Sequence, residues 1–79
     1  MRRTIITITD SKKSVIEKKE FSKEQGEEAM KYLGRVVRNY IEQGYNSKHR
    51  KTKDALTVRI EFYKPFEDKI MVELKAFDD

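Results

Sequence analysis

Leu56-Thr57-Val58-Arg59-Ile60-Glu61-Phe62-Tyr63 and Ile70-Met71-Val72-Glu73-Leu74-Lys75-Ala76-Phe77 decide the fold. Apolar and polar side chains alternate in both stretches, the mark of strands buried on one side. With Pro65-Phe66-Glu67 as the loop, Phe62 faces Ile70, Ile60 faces Val72, Val58 faces Leu74 and Leu56 faces Ala76. The same register sets Arg59 opposite Glu73, a favourable cross-strand pair. A slip of one residue would oppose apolar to polar side chains throughout.

Upstream, Ser22 and Gln25 have the spacing of a capping box, and Glu24, Glu27 and Glu28 suit the positive end of a helix. Ala29, Met30, Leu33, Val36, Val37, Tyr40 and Ile41 then recur at helical spacing as the stripe that meets the sheet. Gly44 predicts a left-handed stop, with Tyr45 folding back on Tyr40. Lys23 to Gln43 spans about 31 Å, enough to cross a four-stranded sheet obliquely. Gly26 and Gly34 each cost about 1 kcal/mol against Ala inside a helix. Gly26 points toward the sheet, which predicts close approach there; Gly34 sits at the margin of the stripe, where a second subunit or a partner would touch.

Thr4, Ile6 and Ile8 share one face of a first strand, and Ile5 and Thr7 the other. Asp10-Ser11-Lys12-Lys13 makes the turn, and Ser14 to Phe21 reads as a charged edge strand that resists aggregation. Alternation alone leaves this hairpin's register open. The expected fold is therefore α+β in the order ββαββ over a single domain, residues 1–79. A hairpin spans 1–21, a helix 22–44, a basic loop 45–54 and a second hairpin 55–77, with one long amphipathic helix packed on one sheet face.

Composition narrows function. Of the 79 residues 37% are apolar and 41% charged, with 18 Lys and Arg against 14 Asp and Glu and no Cys. Without cysteine there is neither a disulfide nor a thiolate metal site. No apolar run approaches the ~20 residues that span a bilayer, and Thr4 to Thr9 is too short and hydroxylated for a secretory signal. A cytoplasmic protein of the bacterial or phage kind is expected, with no membrane contact. His49 is the lone histidine and has no Ser-Asp pair, Cys or second His beside it to build a triad or a metal site. No glycine-rich phosphate loop occurs. Neither an enzyme, nor a cofactor, nor a bound metal is expected.

The charge is unevenly placed. Seven cations oppose three acids through Lys23, a local +4; Lys48 to Lys53 adds +4 without an acid; Phe66 to Asp79 carries −3. Lys48, His49, Arg50, Lys51 and Lys53 thus form a candidate phosphate-contacting loop, with Lys12, Lys13, Arg2 and Arg3 as secondary contacts if they reach the same side. The expected function is a small non-catalytic, regulatory nucleic-acid-binding protein. The alternative is a protein-interaction module, an inhibitor or adaptor that docks through the same loop or through the exposed sheet face. Tyr63, Met71, Phe77 and Arg59 on that face make an interface for a partner or for a second subunit of a homodimer.

Overall fold

The computed structural model describes residues 2–53 and 56–78. Strands β1 (Arg2–Thr9) and β2 (Val15–Phe21) form the first hairpin. One 3-10 turn, Lys23–Gln25, leads into helix α1 (Gly26–Glu42). Strands β3 (Asn46–Arg50), β4 (Thr57–Tyr63) and β5 (Ile70–Asp78) follow. All five strands lie in one antiparallel sheet in the order β2-β1-β5-β4-β3. The fold is α+β, with ββαβββ rather than ββαββ order.

The second hairpin has the expected register: Phe62 opposes Ile70, Ile60 opposes Val72, Val58 opposes Leu74 and Arg59 opposes Glu73. The Ala76 amide donates to the Leu56 carbonyl at 2.9 Å and extends the same pairing. The helix cap also forms. The Ser22 amide donates to Gln25 Oε1 at 3.0 Å, where a 3-10 turn precedes the α-helix proper. At the other end Gly44 has φ +93°. The Tyr45 amide donates to the Tyr40 carbonyl (3.1 Å) and the Gly44 amide to the Ile41 carbonyl (3.0 Å). These two bonds are a Schellman motif. The Tyr40 and Tyr45 rings meet edge-to-face at 5.4 Å.

The first hairpin has Ile6 and Ile8 inward and Ile5 outward. Ile16 is the extra residue of a β-bulge: Ile8 opposes Glu17 but Thr9 opposes Val15. The Asp10 carboxylate accepts from the Lys12 and Ser14 amides, both at 2.9 Å, and Lys13 takes φ +65°. That side chain closes a turn that has no glycine.

Three expectations are corrected. The segment 45–54 is not all loop, because Asn46–Arg50 pairs with β4 as an edge strand. It carries no β-branched or apolar residue, so only the ladder to β4 makes it a strand. Met30 and Ile41 are 60% and 50% exposed and lie outside the core, whereas Tyr32, absent from the expected stripe, packs on Phe21 at 5.7 Å. A stripe including positions 30, 37 and 41 is wider than the contact a single sheet offers. A Cβ at Gly26 would meet nothing within 4 Å, so the helix does not approach the sheet closely there.

The core is one layer deep. Ala29, Leu33 and Val36 of α1 cover Ile6, Ile8, Phe21, Ile60, Phe62 and Val72. Phe62 is fully buried, and Tyr40 stacks on it at 5.1 Å. The path of α1 follows from the strand order. β2 ends beside the Arg2 and Asp78 end of the sheet, and β3 begins beside Tyr63 at the other end, on the opposite edge. The helix therefore runs corner to corner. A 17-residue helix is about 26 Å long, close to the diagonal of a sheet about 19 Å wide. Two corners of the helix-side face stay uncovered: one at β2 beside the Asp10–Ser14 turn, one at β3 and β4 beside Arg50 and Thr57.

Candidate binding surface

Becoming a strand splits the basic segment. Lys48 opposes Glu61 and Arg50 opposes Arg59, so both point to the face that α1 leaves open; His49 opposes the inward Ile60 and lies on the helix side. Lys51 and Lys53 sit in the connection to β4 and are exposed. Lys12 and Lys13 belong to the β1–β2 turn, at the opposite edge of the sheet. The ladder Thr9–Met71–Glu61–Lys48 sets Lys48 about 14 Å from the end of β1 where this turn begins, and Lys51 and Lys53 lie farther along, beyond Arg50. Arg3 does share the open face with Lys48 and Arg50, opposite Phe77. The Arg2 side chain lies outside the described residues.

The open face is a lattice of opposite charges. Arg50 donates to Glu61 Oε2 from Nη2 at 2.9 Å and from Nε at 3.1 Å, and Lys69 Nζ lies 3.7 Å from Oε1. The Glu61 side chain is only 12% exposed. The Arg50 hydrogen bonds hold its carboxyl below the usual 4.5 despite burial, which acts the other way. Arg59 Nε donates to Glu73 at 2.7 Å. Arg3 pairs with Glu20 at 3.4 Å, and its guanidinium covers the Phe77 ring at 5.1 Å, with Lys75 Nζ at 5.4 Å. Three arginines are thereby committed to three acids. Among the described residues, Lys48, Lys51 and Lys53 make no ion pair, and they gather at the β3 corner.

The residues expected to make a partner or dimer interface share this face but do not touch as one patch. Tyr63 stands beside Asn46 at one end, Phe77 beside Arg3 at the other, and Met71 lies between Thr9 and Glu61. Met71 and Arg59 line a recess of about 540 Å³ together with Lys13, Lys69, Asp10, Glu61 and Glu73. Its cations and acids balance.

On the helix side, the β2 corner mixes charged and apolar side chains. Glu17, Tyr32, Arg35, Val36, Arg38, Asn39 and Glu42 line a groove of about 370 Å³ there. Lys19 Nζ lies over the Tyr32 ring at 4.9 Å. Burial and a hydrogen bond to the Glu17 carboxylate push the Tyr32 hydroxyl up to about 12. The β3–β4 corner is apolar: Val58 is 37% exposed although it stands on the same face as the fully buried Phe62. Alternation assigned Val58 correctly to the inner face, but nothing local indicates that the helix stops short of it.

No family model, curated protein or solved structure matches the chain. Among the described residues no three His, Asp or Glu side chains are grouped to hold a metal ion, and no helix is long and apolar enough to cross a membrane.

Proposed function

We propose that the chain is a small non-catalytic binding module that docks an acidic protein partner at the corner formed by β3 and the 51–53 connection. One observation carries this reading: Lys48, Lys51 and Lys53 are exposed, lie within six residues of one another and make no ion pair among the described residues, while every arginine of the open face faces an acid of the chain itself. An acidic surface patch of ordinary size needs two or three such cations. A duplex held at physiological salt takes more, because affinity falls steeply with salt unless several phosphates are neutralised. Lys12 and Lys13 stand across the sheet from them, and Glu61 and Glu73 lie between. The test is exchange of the three lysines for serine, followed by capture from nuclease-treated lysate at two salt concentrations. A partner retained by the parent and lost by the variant supports the reading; equal retention by both rejects it.

The second reading is nucleic-acid binding by the same three lysines, aided by Arg3 on the common face. The absence of any acid between Lys48 and Lys53 favours it. It requires binding of duplex DNA at low salt that weakens with added salt and with the triple serine exchange. No binding at low salt would reject it.

A further inference from the structure

From the free edge of β3 we infer that the acidic partner presents an extended segment that adds a strand to the sheet, its main chain paired with Asn46–Arg50 and its carboxylates on Lys48, Lys51 and Lys53. This deepens the proposed function and rests on its acidic partner. β3 is the last strand in the order β2-β1-β5-β4-β3, and all five of its residues are exposed. Its ladder to β4 runs from Asn46 to Arg50 without a register shift. Alternate residues of such an edge strand turn their N–H and C=O groups away from the sheet. An added strand pairs with those groups; its main chain supplies affinity and its alternate side chains supply specificity.

The other edge is guarded. β2 carries the bulge at Ile16, and most of its charges are engaged within the chain. Glu17 accepts from the Tyr32 hydroxyl, Lys19 covers the Tyr32 ring at 4.9 Å, and Glu20 meets Arg3 at 3.4 Å. Bulges and charged side chains blunt an edge against a further strand. β3 has neither a bulge nor a proline, and it holds no acid. Arg50 closes inward on Glu61 and ties β3 to β4. Lys48, on the same face, makes no ion pair among the described residues.

Charge selects the occupant. Lys48 points to the open face, where an added strand sets a side chain directly beside it. Past the end of β3, Lys51 and Lys53 stand exposed in the connection, and no acid falls between Lys48 and Lys53. A segment with carboxylates on alternate residues meets Lys48 along the strand and the other two lysines beyond it. A second copy of this chain fits poorly. Its β3 would set Lys48 and Arg50 against the same cations, and like charges directly opposite are unfavourable. Its β2 would bring carboxylates already engaged by Tyr32 and Arg3, in a head-to-tail contact that leaves each new edge open to a further copy.

The test uses labelled synthetic peptides of alternating glutamate and threonine, read by fluorescence anisotropy. Two further peptides carry N-methyl groups, one on every glutamate and the other on every threonine. Only one edge of an added strand faces β3. One N-methylated peptide is therefore expected to bind at least about tenfold more weakly than the unmethylated peptide, and the other about as tightly. In the complex, the amides of alternate residues within 46–50 should exchange hydrogen at least about tenfold more slowly than in the free protein. Combined K48S, K51S and K53S should weaken the unmethylated peptide at least about tenfold. Equal binding of the two N-methylated peptides overturns the added strand. The acidic partner then stands if the lysine exchanges still weaken the unmethylated peptide, and falls if they do not. Binding of no peptide rejects both. Protection of the same amides in a concentration-dependent oligomer of the free chain makes the occupant a second copy and overturns the inference, as does protection by duplex DNA but by no peptide.

Discussion

Replacing Arg50 with alanine tests whether the Glu61 carboxylate anchors β3 to the sheet. The substitution removes two hydrogen bonds, 2.9 and 3.1 Å long, from a carboxylate that is 12% exposed. Hydrogen bonds to charged groups contribute about 1.5–3 kcal/mol. Arg50 itself is 44% exposed, so solvent screens the pair, and Lys69 remains near Oε1. The expected loss is therefore about 1–2 kcal/mol, against a total of about 4–12 for a domain of this size. Arg50 holds the folded-state pKa of Glu61 below 4.5. A depressed carboxylate contributes stability that is present above the unfolded pKa and lost as pH falls through the folded one. The difference between parent and R50A should thus be full near pH 7 and shrink below about pH 4. Urea denaturation followed by circular dichroism reads it: with a slope of about 1 kcal/mol/M, the midpoint drops by about 1–2 M at neutral pH. E61Q should be less costly than R50A, because it leaves an arginine that water can reach. A loss in R50A below about 0.3 kcal/mol, or one that is the same at about pH 3 as at about pH 7, would refute the anchoring role.

F62A should cost about 3–5 kcal/mol, since the ring is fully buried and stacked under Tyr40; at that loss the thermal transition falls sharply or disappears. G44A should cost about 1–2 kcal/mol because the cap residue has φ +93°, and thermal denaturation would show it. Ultraviolet titration should find one of the four tyrosines ionising near about 12 and this component missing in Y32F. The raised value means that Tyr32 adds stability fully below about pH 10 and loses it as pH rises toward about 12, provided the fold survives that range. The triple serine exchange at Lys48, Lys51 and Lys53 should change stability by less than about 0.5 kcal/mol, because these side chains are exposed and make no ion pair among the described residues; a larger loss in urea would mean that they hold the fold rather than a partner.

Period-two alternation in residues 56–77 was enough to set both the pairing and the register of β4 and β5, because a slip would have buried Arg59 and Glu73. The capping pair Ser22 and Gln25, the Gly44 stop and the fold-back of Tyr45 were equally local, each set by backbone groups within a few residues. The α+β class follows from these elements alone. The order of the sheet does not, and β3 shows why. Asn46-Ser47-Lys48-His49-Arg50 has no apolar period, and its conformation comes from the ladder to β4 and from Glu61, a residue eleven positions away.

The candidate site divides along the same line. Local reading located the cations between Lys48 and Lys53. Only the tertiary structure decided which cations remain available: Arg50, Arg59 and Arg3 find acids across strands, and His49 turns to the other face. It also set Lys12 and Lys13 at the opposite edge of the sheet, and left Met30, Ile41 and Val58 uncovered. A straight helix laid diagonally on a sheet covers two corners and exposes two, and which residues stand there depends on strand order, a property no short stretch of sequence contains.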